Sequence, residues 1–264
     1  MLKGVLHVHS TYSDGEFSLP ELRELFLSEG CRFVCMTDHA EYFDERKLRK
    51  YADECRSLSD EKLWLVNGLE YTCERGMHIL GYGACALTSS KDPENVVRDI
   101  DTQGAVSVIA HPGDDLFRWI ESFETLPQGI EAWNTKYDGR YAPRPATFAL
   151  VRRLQMRQAG LHAFYGQDLH WKKQFHGLFV SVNIDVPQPA SIISALARGE
   201  FHGQRNEIHL PSSGMLAEGL LEQFARAQLR SRSFHRLLRN GRAALDQLGI
   251  KVPESLKAQI RRVL

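Results

Sequence analysis

Seven short apolar runs of strand character recur through the first 170 residues: GVLHVHS, RFVCMTDH, LWLVNGLEYT, MHILGYG, VSVIAHP, GIEAWN and AFYGQDLH. They are rich in Val, Ile and Phe, and amphipathic helical segments lie between most of them. The first such segment, near Ser18 to Glu29, opens on Ser18-Leu19-Pro20-Glu21, a capping box with proline inside the first turn. Others cover roughly Asp44 to Leu58, Pro93 to Gln103 and Pro145 to Ala159. Strands alternating with helices need crossover connections and therefore parallel pairing. The pattern predicts an α/β fold, either a barrel or a doubly wound sheet.

The polar residues sit at one end of these runs. GVLHVHS ends in His7 and His9, FVCMTDH in Asp38 and His39, VNGLE in Glu70, VSVIAHP in His111, EAWN in Asn134, and YGQDLH in Asp168 and His170. Residues i and i+2 of a strand share a face, so His7 and His9 are expected to project in one direction. In parallel barrels the loops at the C-terminal strand ends converge on one face, where active sites are built. Solvent-facing strand caps would not favour histidine and acid over Ser, Asn and Lys.

Collected, the candidate donors are His7, His9, Asp14, His39, Glu70, His78, His111, Asp168 and His170, six imidazoles and three carboxylates. A divalent ion in a catalytic site takes about three protein ligands and keeps a position for water. Nine donors with one bridging carboxylate suit two or three ions. Mixed nitrogen and oxygen donors without thiolate fit Zn, Mn or Fe. No serine or cysteine stands in a nucleophile-elbow setting, so a metal-bound hydroxide is the expected nucleophile.

HVHSTYSDG, TDH, GLE, a later AHP and a final GQDLH occur in that order, and together they resemble the PHP (polymerase and histidinol phosphatase) family over about Leu2 to Gly203. The resemblance implies a distorted (β/α)7 TIM-like barrel, a trinuclear metal centre and phosphoester hydrolysis by a metal-bridging hydroxide. It further implies that His7, His9, Glu70 and Asp168 hold one ion, and that Glu70 bridges to a second completed by His78 and His111. Asp14, His39 and His170 would hold a third. MHILGYG fits one subgroup's pattern at His78, and Asp14 replaces the histidine of some members. Asp38 is expected to orient an imidazole.

Phosphate needs cations besides metal ions. Lys136, Arg140 and Arg144, in NTKYDGRYAPRP after the strand ending at Asn134, are candidate substrate-binding residues. Tyr137 or Tyr141 could stack on a base or sugar, and Lys172 and Lys173 follow His170. His162, His176, His202, His209 and His235 lie off the pattern and read as surface histidines. C–N hydrolysis of amidohydrolase type is an alternative, but such sites carry a strand-borne lysine, which none of these runs supplies. A non-catalytic scaffold would be expected to have lost ligands, whereas all nine positions hold competent residues.

The sequence divides at about residue 210 into a metal-dependent barrel domain, 1–210, and a basic helical extension, 211–264. From Gly214 onward there are ten Lys/Arg against four Asp/Glu, in a chain whose totals balance at 33 each. Leu220, Phe224 and Ala227 recur at helical spacing, as do Phe234, Leu237, Leu238 and Leu245, with Arg226, Arg230, Arg232, Arg236 and Arg239 beside them. Gly241 and Gly249 to Pro253 are expected to break this into two or three helices. Such helices pack on the barrel or a dimer mate, or offer a phosphate-attracting surface to nucleic acid. The expected partners are therefore a small phosphorylated substrate or short nucleotide, nucleic acid through these helices, and a second copy of the chain. Five cysteines without a CxxC pair, and no visible signal peptide or membrane span, suggest a reduced cytoplasmic protein.

Overall fold

Each apolar run forms strand, and most strand residues are buried on both faces, as Val/Ile-rich runs are when helices cover them. The computed structural model describes residues 1–139 and 141–247, with the backbone alone for Arg232 and 234–247. β1 (Leu2–Val8) leads into α1 (Leu19–Ser28), where Ser18 and Glu21 form the expected capping box. β2 (Phe33–Met36) and β3 (Asp38–His39) flank Thr37 and precede α2 (Glu45–Ser57). β4 (Trp64–Val66) and β5 (Gly68–Thr72) flank Asn67, and β6 (His78–Tyr82) precedes α3 (Pro93–Thr102). β7 (Val106–Ala110), α4 (Phe117–Glu121), β8 (Gly129–Asn134), α5 (Pro145–Gln155) and β9 (His162–Gly166) continue the alternation. Then come β10 (Phe179–Val182), α6 (Pro189–Ala197), β11 (Phe201–Arg205), β12 (Ile208–Pro211) and α7 (Glu218–Gln247).

The strands form two six-stranded sheets, ordered β12-β11-β10-β1-β2-β4 and β3-β5-β6-β7-β8-β9. The runs broken at Thr37 and Asn67 each pass from the first sheet into the second. On the far side, the end of β1 is hydrogen-bonded to the segment after β9. Gln167 N donates to Leu6 O (3.1 Å), Leu169 N to His7 O (3.2 Å) and His9 N to Leu169 O (3.0 Å).

Pairing is parallel for β1–β2, β2–β4, β3–β5, β7–β8 and β8–β9. It is not parallel throughout: β6 runs antiparallel to both β5 and β7. The five residues from Cys73 to Met77 are too few for a crossover, and Arg75 and Gly76 turn the chain back in the left-handed region. β6 therefore begins, rather than ends, beside the other strands' C-terminal ends. That is how MHILGYG, with its histidine first, joins the same face.

Two further features depart from the sequence reading. β10, β11 and β12 add an antiparallel extension to the free edge of β1. Their short or polar sequences, FVSV, FHGQR and IHLP, carry little strand periodicity. Among the described residues the basic extension forms one helix, α7, which continues through Gly241 instead of breaking there. A single interior glycine costs only about 1 kcal/mol and need not end a helix. Gly249 to Pro253, and the side chains of Phe234, Leu237, Leu238, Leu245, Arg232, His235, Arg236 and Arg239, lie outside the described residues.

The start of α7 packs on the sheets as its apolar spacing requires. Phe224 is buried, with its ring centroid 6.4 Å from that of Trp133, and Leu220 and Ala227 lie against the core. Gln228 Nε2 donates to the carbonyls of Asp138 (2.7 Å) and Ala142 (2.6 Å). No helix among the described residues is long and apolar enough to cross a membrane. All five cysteines are unpaired. Phe224→Ala should destabilise the chain by about 3 kcal/mol, the cost of an aromatic cavity, read as a lowered midpoint in urea denaturation.

Candidate metal centre

All nine candidate donors stand on one face. His7 and His9 come from the end of β1, Asp14 from the following turn, His39 from β3, Glu70 from β5 and His78 from the start of β6. His111 follows β7, and Asp168 and His170 follow β9. Simple alternation does not account for the first pair. His7 adopts φ +61°, and the β1–β2 register shifts between Val5 and Val8. The two imidazoles nevertheless converge, with centroids 5.2 Å apart. His111 (φ +27°) and Asp168 (φ +52°) are left-handed as well. Each such residue costs about 1–2 kcal/mol. Three of the five non-glycine positive-φ residues described therefore belong to this one cluster.

Glu70 is at the middle, 1 % exposed. Its Oε2 lies 3.3 Å from His7 Nε2, 3.1 Å from His9 Nε2 and 3.5 Å from His39 Nδ1. Its Oε1 faces the other way, 2.7 Å from His78 Nδ1 and 3.3 Å from His111 Nε2. Asp168 Oδ1 approaches His7 (3.7 Å), His9 (3.6 Å) and His170 Nδ1 (3.1 Å). Asp14 Oδ1 approaches His39 Nε2 (3.7 Å) and His170 Nε2 (3.3 Å). The donors thus fall into overlapping groups compact enough for single ions: His9, Asp14, His39 and His170; His7, His9 and Asp168; His7, Glu70 and His111; and His39, Glu70 and His78.

Charge within the cluster is balanced internally. Burial favours neutral Glu70, but His7 first, with hydrogen bonds from His111 and His78, holds its pKa well below the ordinary carboxylate value. Asp168 is held low against burial by His7, His170 and His9. Burial also disfavours protonated His7, yet Glu131, Asp168 and Glu70 raise its pKa well above the usual imidazole value. Burial lowers that of His9, favouring the neutral form that binds metals.

Three buried nitrogens, Nδ1 and Nε2 of His9 and Nδ1 of His39, make no hydrogen bond of good geometry among the described residues, although Glu70 Oε2 lies 3.1 Å from His9 Nε2 and 3.5 Å from His39 Nδ1. An unpaired buried polar atom costs about 1–3 kcal/mol. Three of them facing ionised carboxylates form a donor set that suits divalent cations.

Supporting residues, several of them invisible to sequence reasoning, hold this arrangement. Glu131 is fully buried in β8, its Oε1 2.9 Å from His7 Nδ1 and its Oε2 accepting from His111 N (2.9 Å). Asn134 Nδ2 donates to Glu131 Oε2 (2.8 Å) and Asp168 Oδ2 (3.3 Å). The available signal was a lone acid within the apolar run GIEAWN. Gly166 lies against both: a Cβ there would collide with Glu131 Oε1 and come within 2.8 Å of His7 Cβ. Asp38 does not orient an imidazole. It accepts from Ser10 N (2.8 Å), Ser10 Oγ (2.9 Å) and Ser13 Oγ (2.7 Å), and so fixes the turn that delivers Asp14.

The expected phosphate-binding cations separate. Lys136 reaches the cluster, its Nζ 3.1 Å from Asp168 Oδ1 and 3.3 Å from His170 Nδ1. It stands on the loop two residues past β8, not on a strand. Arg144 is not free to clamp a substrate: Asp138 (2.5 Å), Asp114 (2.7 Å) and the Pro112 carbonyl (2.7 Å) take up its guanidinium. It braces the loop between β8 and α5. Arg140 lies outside the described residues.

A model of the PHP domain family matches residues 6–137, half of the chain. The chain belongs to the PHP family. The family match covers seven of the nine donors, while Asp168 and His170 fall after it. The DNA polymerase/3'-5' exonuclease PolX of Bacillus subtilis is 36% identical over 139 residues, 42% of this chain and 23% of that enzyme. This PHP chain therefore spans less than a quarter of that relative. A crystallised two-domain protein of Bacteroides vulgatus, described as containing a predicted PHP-like metal-dependent phosphoesterase, has a similar fold. The TM-score is 0.56 at 18% identity, over 85% of this chain and 69% of that one.

Glu131→Gln should lower metal affinity about 10- to 100-fold, the usual effect of removing a carboxylate partner of a ligating histidine, measured by competition with a chelating indicator. Gly166→Ala should do the same by displacing Glu131 and His7. Unaltered affinity in both would show that the support of His7 is dispensable.

Proposed function

We propose that this PHP chain is a metal-dependent hydrolase of phosphate esters. One observation carries the reading: nine metal-competent side chains converge, with buried imidazole nitrogens left without a hydrogen bond of good geometry at their centre. The proposed complement is two to three divalent ions, Zn, Mn or Fe. His7, His9, Glu70 and Asp168 would hold one, Glu70, His78 and His111 a second, and Asp14, His39 and His170 a third. The opposite orientation of the two Glu70 oxygens supports its role as the bridge. Such ions supply Lewis acidity towards phosphoryl oxygens and acidify water near neutral pH.

The remaining steps belong to the chain's own groups. Glu131 and Asn134 keep His7 and Asp168 in the orientations that converge on the cluster. Lys136, already paired with Asp168 and His170, donates from Nζ to a phosphoryl oxygen and offsets its charge. The buried strand ends limit access to the loop side, so substrate enters from there. We further propose that the two sheets act as one distorted (β/α)7 barrel, supported by the hydrogen bonds between β1 and the segment after β9. Residues 1–210 would be the catalytic unit and 211–264 an extension whose basic residues attract phosphate. The unpaired cysteines support a reducing, cytoplasmic setting.

The test is a panel of aryl phosphomonoester and bis-aryl phosphodiester substrates with added Mn or Zn. Turnover of either is expected, and which one is cut separates phosphatase from phosphodiesterase. His9→Ala and Asp168→Ala should each abolish turnover while circular dichroism stays native; full activity in either sinks the assignment. Metal analysis of the gently purified protein should give two or more ions per chain. Fewer than two would favour a non-catalytic scaffold.

A further inference from the structure

Among the described residues only four aromatic side chains are exposed: Tyr42, Tyr137, Tyr141 and Trp171. All four are on the loops of the metal-centre face, after β3, β8 and β9. Packing does not account for that distribution. An aromatic ring kept in water is placed unfavourably unless something covers it, and scattered exposure would spread over all faces.

Three of these rings also touch the metal centre. Tyr137 stacks on His111 with centroids 4.2 Å apart, Trp171 lies 5.5 Å from His170, and Tyr42 lies 6.3 Å from His39. Each carries its own lysine. Lys136 Nζ is 5.3 Å from the Tyr137 centroid, Lys173 Nζ 5.4 Å from that of Trp171, and Lys47 Nζ 6.0 Å from that of Tyr42. The same grouping, an exposed ring with an ammonium within about 6 Å and a donor histidine beside it, thus recurs around three separate loops.

Resting on the phosphoesterase reading above, we infer that Tyr42, Tyr137 and Trp171, with Lys47, Lys136 and Lys173, form a rim that binds a single-stranded chain of nucleotides. Each half of the unit matches one half of a nucleotide. A flat exposed ring stacks a base of any sequence, and the adjacent ammonium meets the phosphate that follows it. A simple sugar phosphate would need one cation and no ring. A duplex keeps its bases stacked on one another and could not use the rings at all. The rim would hold the chain across the loops and set a phosphodiester over the donor cluster, favouring diester over monoester cleavage.

The test is fluorescence anisotropy of the full-length, as-purified protein with a labelled decathymidylate, an abasic sugar-phosphate chain of equal length, and a ten-base-pair duplex. Calcium replaces Mn and Zn in the buffer to slow cleavage. The decathymidylate should bind at least tenfold more tightly than either competitor. Tyr42→Ala/Trp171→Ala should weaken it by about tenfold or more, since each lost base stack typically costs that order. Tyr42→Phe/Trp171→Phe should restore binding, which a merely structural loss would not allow. Equal affinity for the abasic chain, or tight binding by the alanine pair with a native melting curve, overturns the rim. Bis-aryl phosphodiester turnover run in parallel keeps the two readings apart. Turnover without base discrimination removes the rim alone. Base discrimination without turnover of any phosphoester removes the hydrolase and leaves the rim.

Discussion

A buried carboxylate among five imidazoles is the interaction on which the rest of this structure depends. Glu70 reaches His7, His9 and His39 with one oxygen and His78 and His111 with the other. Ionised groups at such depth are tolerable only when opposite charges or cations compensate them. That requirement explains why five different strand ends must meet within a few ångströms. It also explains why His7, whose pKa Glu131, Asp168 and Glu70 raise, and the ammonium of Lys136 stand beside these acids. A divalent ion held by these donors would supply the same compensation.

Convergence of this kind costs local stability, and the surrounding fold supplies it. Left-handed backbone at His7, His111 and Asp168 is kept in place by strand pairing on either side and by Glu131 beneath. Gly166 is where β9 passes so close that no side chain fits. The antiparallel extension from β10 to β12 adds buried area on the edge of β1, and α7 docks on Trp133 and holds the β8–α5 loop through Gln228. Loops beyond the strand ends are then free to carry exposed rings and lysines.

Much of the centre was legible because its donors sit where local periodicity stops. Apolar runs that end in His9, His39, Glu70, His111 or His170 announce a shared face before any contact is known. Glu131 was not legible, since an acid inside GIEAWN looks like a strand interruption until His7 is seen beside it. Asp38 was misread for a related reason: its neighbour in space is the Ser10–Ser13 turn, which nothing in TDH suggests. The three strands after Leu178 escaped because FHGQR and IHLP are too polar to show a period.

Sequence alone determined the alternation of strands and helices as far as β9, the donor types and the face on which they gather. Those properties follow from hydrophobic period and from residue chemistry, both local. Tertiary structure alone decided which donors lie within reach of one ion. It also decided that β6 runs backwards so that His78 arrives from the start of its strand, that Arg144 is consumed by Asp138 and Asp114, and that Lys136 is paired instead with Asp168 and His170 inside the donor cluster. Those outcomes depend on register, chain direction and side-chain competition between segments far apart in sequence, which no local pattern encodes.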